Sequence, residues 1–269
     1  MENNDGNINT LLYILGELRQ LGMTGIKISF EDEGAKINEV TTMRYLTAVT
    51  GVELSVKIGG CEAKCDMINC IDLACDTIVA PMIESSFAIE KYIAAIKYLN
   101  YKNKTSFNLE TIAGYSNIDN ILTSINKENP AKINSITFGR VDFSASLNNT
   151  RAYVDTDECY NYVEEVFMKA KYAGLQCNLG GAITVDSIKF IQKLHKKNLL
   201  DFFETRYIII STKLMEPTDN GTMQKIIYLS NLFELNWLKY LSNRYGDYTS
   251  KYLPRISMIE NRLTNSQFM

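Results

Sequence analysis

One histidine, one tryptophan and four prolines in 269 residues exclude several classes of protein at the outset. With so little proline and 46% hydrophobic residues, the chain reads as a folded globular protein and not as a linker. The lone His195 lies in the basic stretch Lys193–Lys197 and lacks the neighbours that a metal ligand or general base needs, so it reads as a surface helix residue. Six cysteines are too few for a disulfide scaffold. Four of them, Cys61, Cys65, Cys70 and Cys75, fall close together, but their spacing is not that of a zinc ribbon or a common ferredoxin, and reduced thiols packed on a helix are expected. No apolar run approaches the roughly 18 to 20 residues needed to cross a bilayer. The opening MENNDGNINT also lacks the basic and apolar regions of a secretory signal. With 28 basic against 31 acidic residues there is no general attraction for phosphate backbones or anionic lipid. Nucleic acid and membrane are therefore poor partners, and a soluble cytoplasmic protein is expected.

What is present is a regular alternation. Strand-like runs at Gly25–Phe30, Val52–Ile58, Thr77–Ala80, Ser106–Glu110, Ser135–Gly139, Leu175–Leu179 and Arg206–Ser211 are separated by stretches of helical spacing. Right-handed crossovers between such units give a parallel sheet, and this many units favour closure. The expected fold is α/β, a TIM-type (β/α) barrel over residues 1–215 with seven clear strands. The strand that would normally precede the first helix, Leu11–Leu21, is missing or irregular. From Thr222 onward the pattern becomes a long helical segment, so residues 216–269 are expected to form a helical extension, packed on the barrel or exchanged with a partner in a homo-oligomer.

In a barrel of this type the carboxyl ends of the strands share one mouth. There the sequence offers Glu31 and Asp32 after the first strand, Lys57 at the end of the second and Glu84 after the third. Glu110, Asp142 and Asn178 follow, the last with Gly180 and Gly181. Several carboxylates, a lysine and no histidine suggest a divalent cation bound through oxygen, Mg²⁺ being the natural guess. The pairs Gly59-Gly60 and Gly180-Gly181 each precede a helix and either offer backbone amides to an anionic substrate or serve as simple turns. The cluster Glu31, Asp32 and Glu33 equally suits the start of a helix.

Four segments carry a resemblance. Asn108-Leu109-Glu110-Thr111-Ile112-Ala113-Gly114 resembles the Glu-Thr-x-x-Gly segment of citrate lyase beta chains and metal-dependent 2-oxo-acid aldolases. Phe138-Gly139-Arg140-Val141-Asp142 and the following Phe143–Leu147 are similar to that family's second, aspartate-bearing signature. Ile78–Ser85 resembles the Pro-Met-x-Glu strand end of the aldolase branch, and Phe30-Glu31-Asp32 the Leu-Glu-Asp of the citrate lyase branch. The resemblance runs from about Gly25 to Thr212, with the four segments in the family's order.

The resemblance implies that Glu110 and Asp142 hold Mg²⁺ or Mn²⁺, which chelates a 2-oxo acid or its enolate. Two departures stand out. The family usually has an arginine where this chain has Lys57, and a lysine offers a point charge in place of a planar fork. The aldolase branch also has a histidine base where this chain offers Glu33-Gly34 or, in the other alignment, Glu31-Asp32. Arg140 is the candidate compensating cation, and Gly59, Gly60, Glu84 and Asn178 are candidate substrate contacts. The implied activity is a carbon-carbon lyase or aldolase acting on a pyruvate-type 2-oxo acid. An acyl-CoA lyase of the citrate lyase type, and a catalytically altered barrel serving as a binding or assembly subunit, stand as alternatives.

Overall fold

The computed structural model describes residues 7–31, 33–128, 133–214, 219–245 and 249–266. The chain enters through helix α1 (Ile8–Gln20), whose first turn is closed by Asn7 accepting the Thr10 N–H at 2.9 Å. It then alternates strand and helix: β1 (Met23–Ser29), α2 (Ile37–Thr50), β2 (Glu53–Lys57), α3 (Lys64–Asp72), β3 (Thr77–Ala80), α4 (Ser86–Tyr98) and β4 (Lys104–Leu109). Two helices follow β4, α5 (Ile112–Ser116) and α6 (Ile118–Glu128). Next come β5 (Ser135–Gly139), α7 (Arg140–Ser146), α8 (Asp157–Tyr172), β6 (Gln176–Gly180) and α9 (Ile188–Lys196).

Strands β1 to β6 and β7 (Phe202–Glu204) pair in parallel, in sequence order. The barrel is closed by β8 (Ile208–Ser211), which runs antiparallel to both β7 and β1. The expected TIM-type barrel is therefore present, with an eighth strand beyond the seven read from sequence. The added strand is Phe202–Glu204, and the run expected as a parallel seventh is the return arm of a hairpin. The turn is made locally, with Thr205 N–H donating to the Ile208 carbonyl at 2.9 Å. No strand precedes α1 among the described residues; the hairpin supplies the closing strand instead.

Alternation along the strands fixes what faces the barrel axis. Ile26, Ile28, Leu54, Val56, Ile78, Phe107, Leu109, Ile136 and Phe138 belong to the buried apolar core that the surrounding helices complete. The opposite face is polar. Lys27, Ser55, Lys57, Ser106, Asn108, Thr137, Asn178 and Glu204 line the interior at its two ends. Such groups stay buried only when paired. Accordingly Lys27 pairs with Glu204, Asn178 Nδ2 donates to Glu204 Oε2 at 2.5 Å and to Thr137 Oγ1 at 3.1 Å, and the Ser135 hydroxyl donates to Ser106 Oγ at 2.9 Å.

After β8 the chain forms α10 (Asn220–Tyr245) and α11 (Thr249–Thr264); the domain boundary expected at residues 215 and 216 lies outside the described residues. Met223, Ile226, Phe233 and Trp237 of α10 enter the main core, and Leu235 and Leu238 form a second apolar cluster with Ile256, Ile259 and Leu263 of α11. Arg255 of α11 grips Glu234 of α10 through Nε at 2.5 Å and Nη2 at 2.9 Å. No helix among the described residues is long and apolar enough to cross a membrane.

Gly181, following β6, combines a left-handed backbone (φ 84°) with an approach that leaves a Cβ no space. A Cβ there would lie 2.7 Å from the backbone nitrogens of Arg140 and Val141. Gly181→Ala should lower stability by roughly 2–4 kcal/mol from strain and overpacking together. Urea unfolding would read this as a lower midpoint at constant slope; an unmoved midpoint would remove the steric argument.

Candidate active site

Glu110 stands one residue past β4, immediately before Thr111, whose hydroxyl caps α5 by accepting the Gly114 N–H at 3.1 Å. Its carboxylate turns into the barrel mouth and is buried, at 2% exposure. Oε1 accepts the Met82 N–H at 3.0 Å, and Oε2 accepts from Asn108 Nδ2 at 2.9 Å. Space for it comes from the neighbouring strand: a Cβ on Gly139 would lie 2.8 Å from Glu110 Oε2 and 2.9 Å from Glu110 Cβ. The Phe-Gly of the second signature thus makes room for the glutamate of the first.

Asp142 lies in the first turn of α7, which begins directly after β5, and lines the same cavity of about 210 Å³ as Glu110, Asn108 and Lys57. Burial pushes the Glu110 carboxyl above its ordinary pKa. Lys57, the Asn108 amide and the Met82 N–H pull it back, while the Asp142 charge adds to the upward push. Lys57, at the end of β2, is 6% exposed. Its Nζ lies 2.7 Å from Glu31 Oε2 and 3.8 Å from Glu110 Oε1. Glu31 therefore acts on the site through Lys57. Asp32 lies outside the described residues.

The other expected contacts are placed elsewhere. Arg140 does not face the cavity. Its fully buried guanidinium is spent on the Gly180, Val154 and Gly181 carbonyls, Ser187 Oγ and Asp155, and it stacks on Phe190. Because α7 starts directly after Gly139, Arg140 points back beneath the loop after β6. Glu84 is exposed and accepts the Thr111 hydroxyl at 2.7 Å. Gly59 already donates its N–H to Asp66 Oδ2 at 2.7 Å, and neither Gly59 nor Gly60 lines the mouth cavity. Asn178 sits deeper, bound to Glu204 and Thr137. His195 is in the last turn of α9, away from the mouth.

Sequence reading missed much of the cavity wall. Glu33 is tied to Arg206 at 3.3 Å, and Glu234 lies 3.9 Å from Arg206 while being held by Arg255. Although burial opposes its charge, Tyr207, Glu33 and Glu234 hold the Arg206 guanidinium above its ordinary pKa. Arg151 and Arg262 complete this side. Glu234, Arg255 and Arg262 fall in the long helical run after Thr222, which carried no motif, and nothing in the sequence marked Arg151 or Arg206 as wall residues.

The described residues contain no group of three or more His, Cys, Asp or Glu side chains arranged to hold a metal. Two carboxylates nonetheless suit Mg²⁺, which binds through one or two of them and fills its other positions with water and substrate oxygens. Glu110 engages each oxygen once, leaving lone pairs for a cation. A divalent ion would also offset the mutual repulsion of Glu110 and Asp142. The residues present fit the group.

Comparison with known structures agrees with the barrel. An HpcH/HpaI aldolase/citrate lyase family protein from Burkholderia cenocepacia is similar with a TM-score of 0.58 at 13% identity, covering 72% of this chain and 82% of that one. An HpcH/HpaI aldolase from Desulfitobacterium hafniense gives 0.58 at 12% identity, covering 74% and 81%. The citrate synthase SbnG gives 0.55 at 14%, covering 72% and 90%. At these identities the likeness is one of fold. No curated protein sequence matches the chain. The model of the HpcH/HpaI aldolase/citrate lyase family matches residues 35–187, which span β2 to β6 and both candidate ligands. The chain belongs to the HpcH/HpaI aldolase/citrate lyase family, and that membership supports a lyase function.

Proposed function

We propose that this protein is a divalent-metal-dependent carbon-carbon lyase that cleaves or forms the bond one carbon removed from the oxo group of a pyruvate-type 2-oxo acid, so that the pyruvate portion leaves or enters as its enolate. The observation that carries the reading is the meeting of Glu110 and Asp142, from successive strand ends, in one cavity beside Lys57. The two carboxylates would hold Mg²⁺ or Mn²⁺. When bound, that ion would polarise the oxo group and stabilise the negative charge that develops on it.

The chain's own residues do the rest. Lys57 supplies a second positive charge at the mouth, where a largely water-excluded setting strengthens its effect on an enolate. Glu31, 2.7 Å from its Nζ, positions it. Asn108 and the Met82 N–H fix the rotation of the Glu110 carboxylate. With no histidine lining the cavity, proton transfer falls to a cavity carboxylate.

The reading is tested by assaying pyruvate release from a panel of 4-hydroxy-2-oxo acids with Mg²⁺ or Mn²⁺ and with a chelator. Metal-dependent release supports it; metal binding without turnover of any member sinks it in favour of a binding subunit. In an active wild type, Lys57→Met should cost about 10²-fold in kcat, as does loss of one preorganised charge-stabilising donor. Lys57→Arg should retain much of the rate. An unchanged kcat in Lys57→Met would remove Lys57 from the site.

A further inference from the structure

We infer that the side of the mouth built by the C-terminal helices is a phosphate subsite, which takes the end of the substrate remote from the Glu110–Asp142 pair. Four guanidinium groups line this side, from Arg151, Arg206, Arg255 and Arg262, against two carboxylates, Glu33 and Glu234. The carboxylates are committed. Glu234, 3% exposed, is gripped by both Nε and Nη2 of Arg255, and Glu33 pairs with Arg206. Arg151 and Arg262 make no ion pair or hydrogen bond among the described residues, yet both line the cavity. The wall thus carries an excess of positive charge, with Arg151 and Arg262 outside its direct ion pairs.

Like charges gathered beside a partly buried wall repel one another: burial first, then the neighbouring arginines, disfavours the charged forms of Arg151 and Arg262, and the Glu234 charge offsets this only in part. A dianion placed between them relieves that repulsion, and planar guanidinium forks match phosphate oxygens two at a time. The position has a further consequence. Arg262 and Asn231 also border a second cavity of about 470 Å³, walled in part by Val185, Ile227, Tyr228 and Leu263. A phosphate held by Arg262 would therefore sit at the junction of the mouth and this more apolar groove. The shared chemistry is a phosphate monoester. Its source is either a phosphorylated aldehyde acceptor that ends at the junction or the phosphates of a coenzyme A thioester whose remainder runs along the groove.

The inference rests on the proposed lyase reading only for what occupies the other end of the mouth, so the two are tested separately. Binding of glycolaldehyde phosphate, coenzyme A and malonate to the full chain would be measured at low salt, by ligand-detected NMR or calorimetry. The proteins compared would be wild type, Arg151→Gln, Arg262→Gln and the matching lysine variants. Each glutamine substitution should weaken the phosphate probe by about tenfold, one charge-assisted contact. The lysine variants should lose less, and Mg²⁺ affinity should stay unchanged throughout. Preference for glycolaldehyde phosphate identifies a phosphorylated acceptor, whereas preference for coenzyme A identifies a thioester. Binding of malonate alone, or phosphate affinity indifferent to both arginines, overturns the subsite. Loss of Mg²⁺ binding in Glu110→Gln with phosphate affinity intact keeps the two proposals distinguishable. A wild type that binds phosphate through these arginines but no metal would sink the lyase reading and leave the subsite standing.

Discussion

Replacing Glu110 by glutamine should abolish tight divalent-cation binding and lower lyase turnover by about 10³-fold while leaving the fold intact. The side chains are isosteric, and the amide can still accept from the Met82 N–H, a backbone donor at 3.0 Å that cannot rotate away. What is lost is the charge. Asp142 alone would then face the cation, and a single carboxylate in a mouth that also holds Lys57 competes poorly for a hydrated divalent ion. The substitution should be neutral or slightly favourable for stability. Burial already raises the Glu110 carboxyl above its ordinary pKa, so a permanently uncharged group removes a desolvation cost. Calorimetric titration with Mg²⁺, an activity assay and a thermal melt on the same preparation separate these effects. A variant that binds Mg²⁺ like wild type would refute the ligand assignment, whatever its activity.

The parts of this molecule that were legible in sequence are those where periodicity and chemistry coincide. In Ser106-Phe107-Asn108-Leu109-Glu110 apolar residues alternate with polar ones, which marks a strand whose polar side faces an interior. The same alternation carries Glu110 to the mouth. Phe202–Glu204 was not legible, because three residues are too short for any period to declare itself, and the hairpin it forms depends on a local turn at Thr205–Tyr207. Glu31 was readable as a strand-end acid, but its role in holding Lys57 needs the register that sets Ser29 beside Lys57. The arginine wall was hidden for a different reason. Arg206, Arg255 and Arg262 are separated in sequence and meet only when α10 and α11 fold across the mouth, so no local spacing announces them.

Arg140 shows how position in a motif and position in space diverge, and its removal should be felt in stability and not in catalysis. Lying between Gly139 and the candidate ligand Asp142, it invites assignment to the chemistry. The structure instead makes it a strut that ties the start of α7 to the loop after β6 and to the 3₁₀ turn Arg151–Asp155. Arg140→Met fills much of the volume but leaves three carbonyls and Ser187 without their donor. Asp155 is partly solvated at 21% exposure, so its stranded charge contributes less than those buried acceptors. The sum should be about 3–5 kcal/mol, or a fall in Tm of about 6–20 °C for a domain of this size. Arg140→Lys should recover only part of this, because one ammonium cannot reach acceptors spread around a planar guanidinium. At a temperature where the variant remains folded, KM for the oxo acid and affinity for Mg²⁺ should be close to wild type. A variant with wild-type Tm and a large loss of kcat would return Arg140 to the reaction and remove its role as a strut.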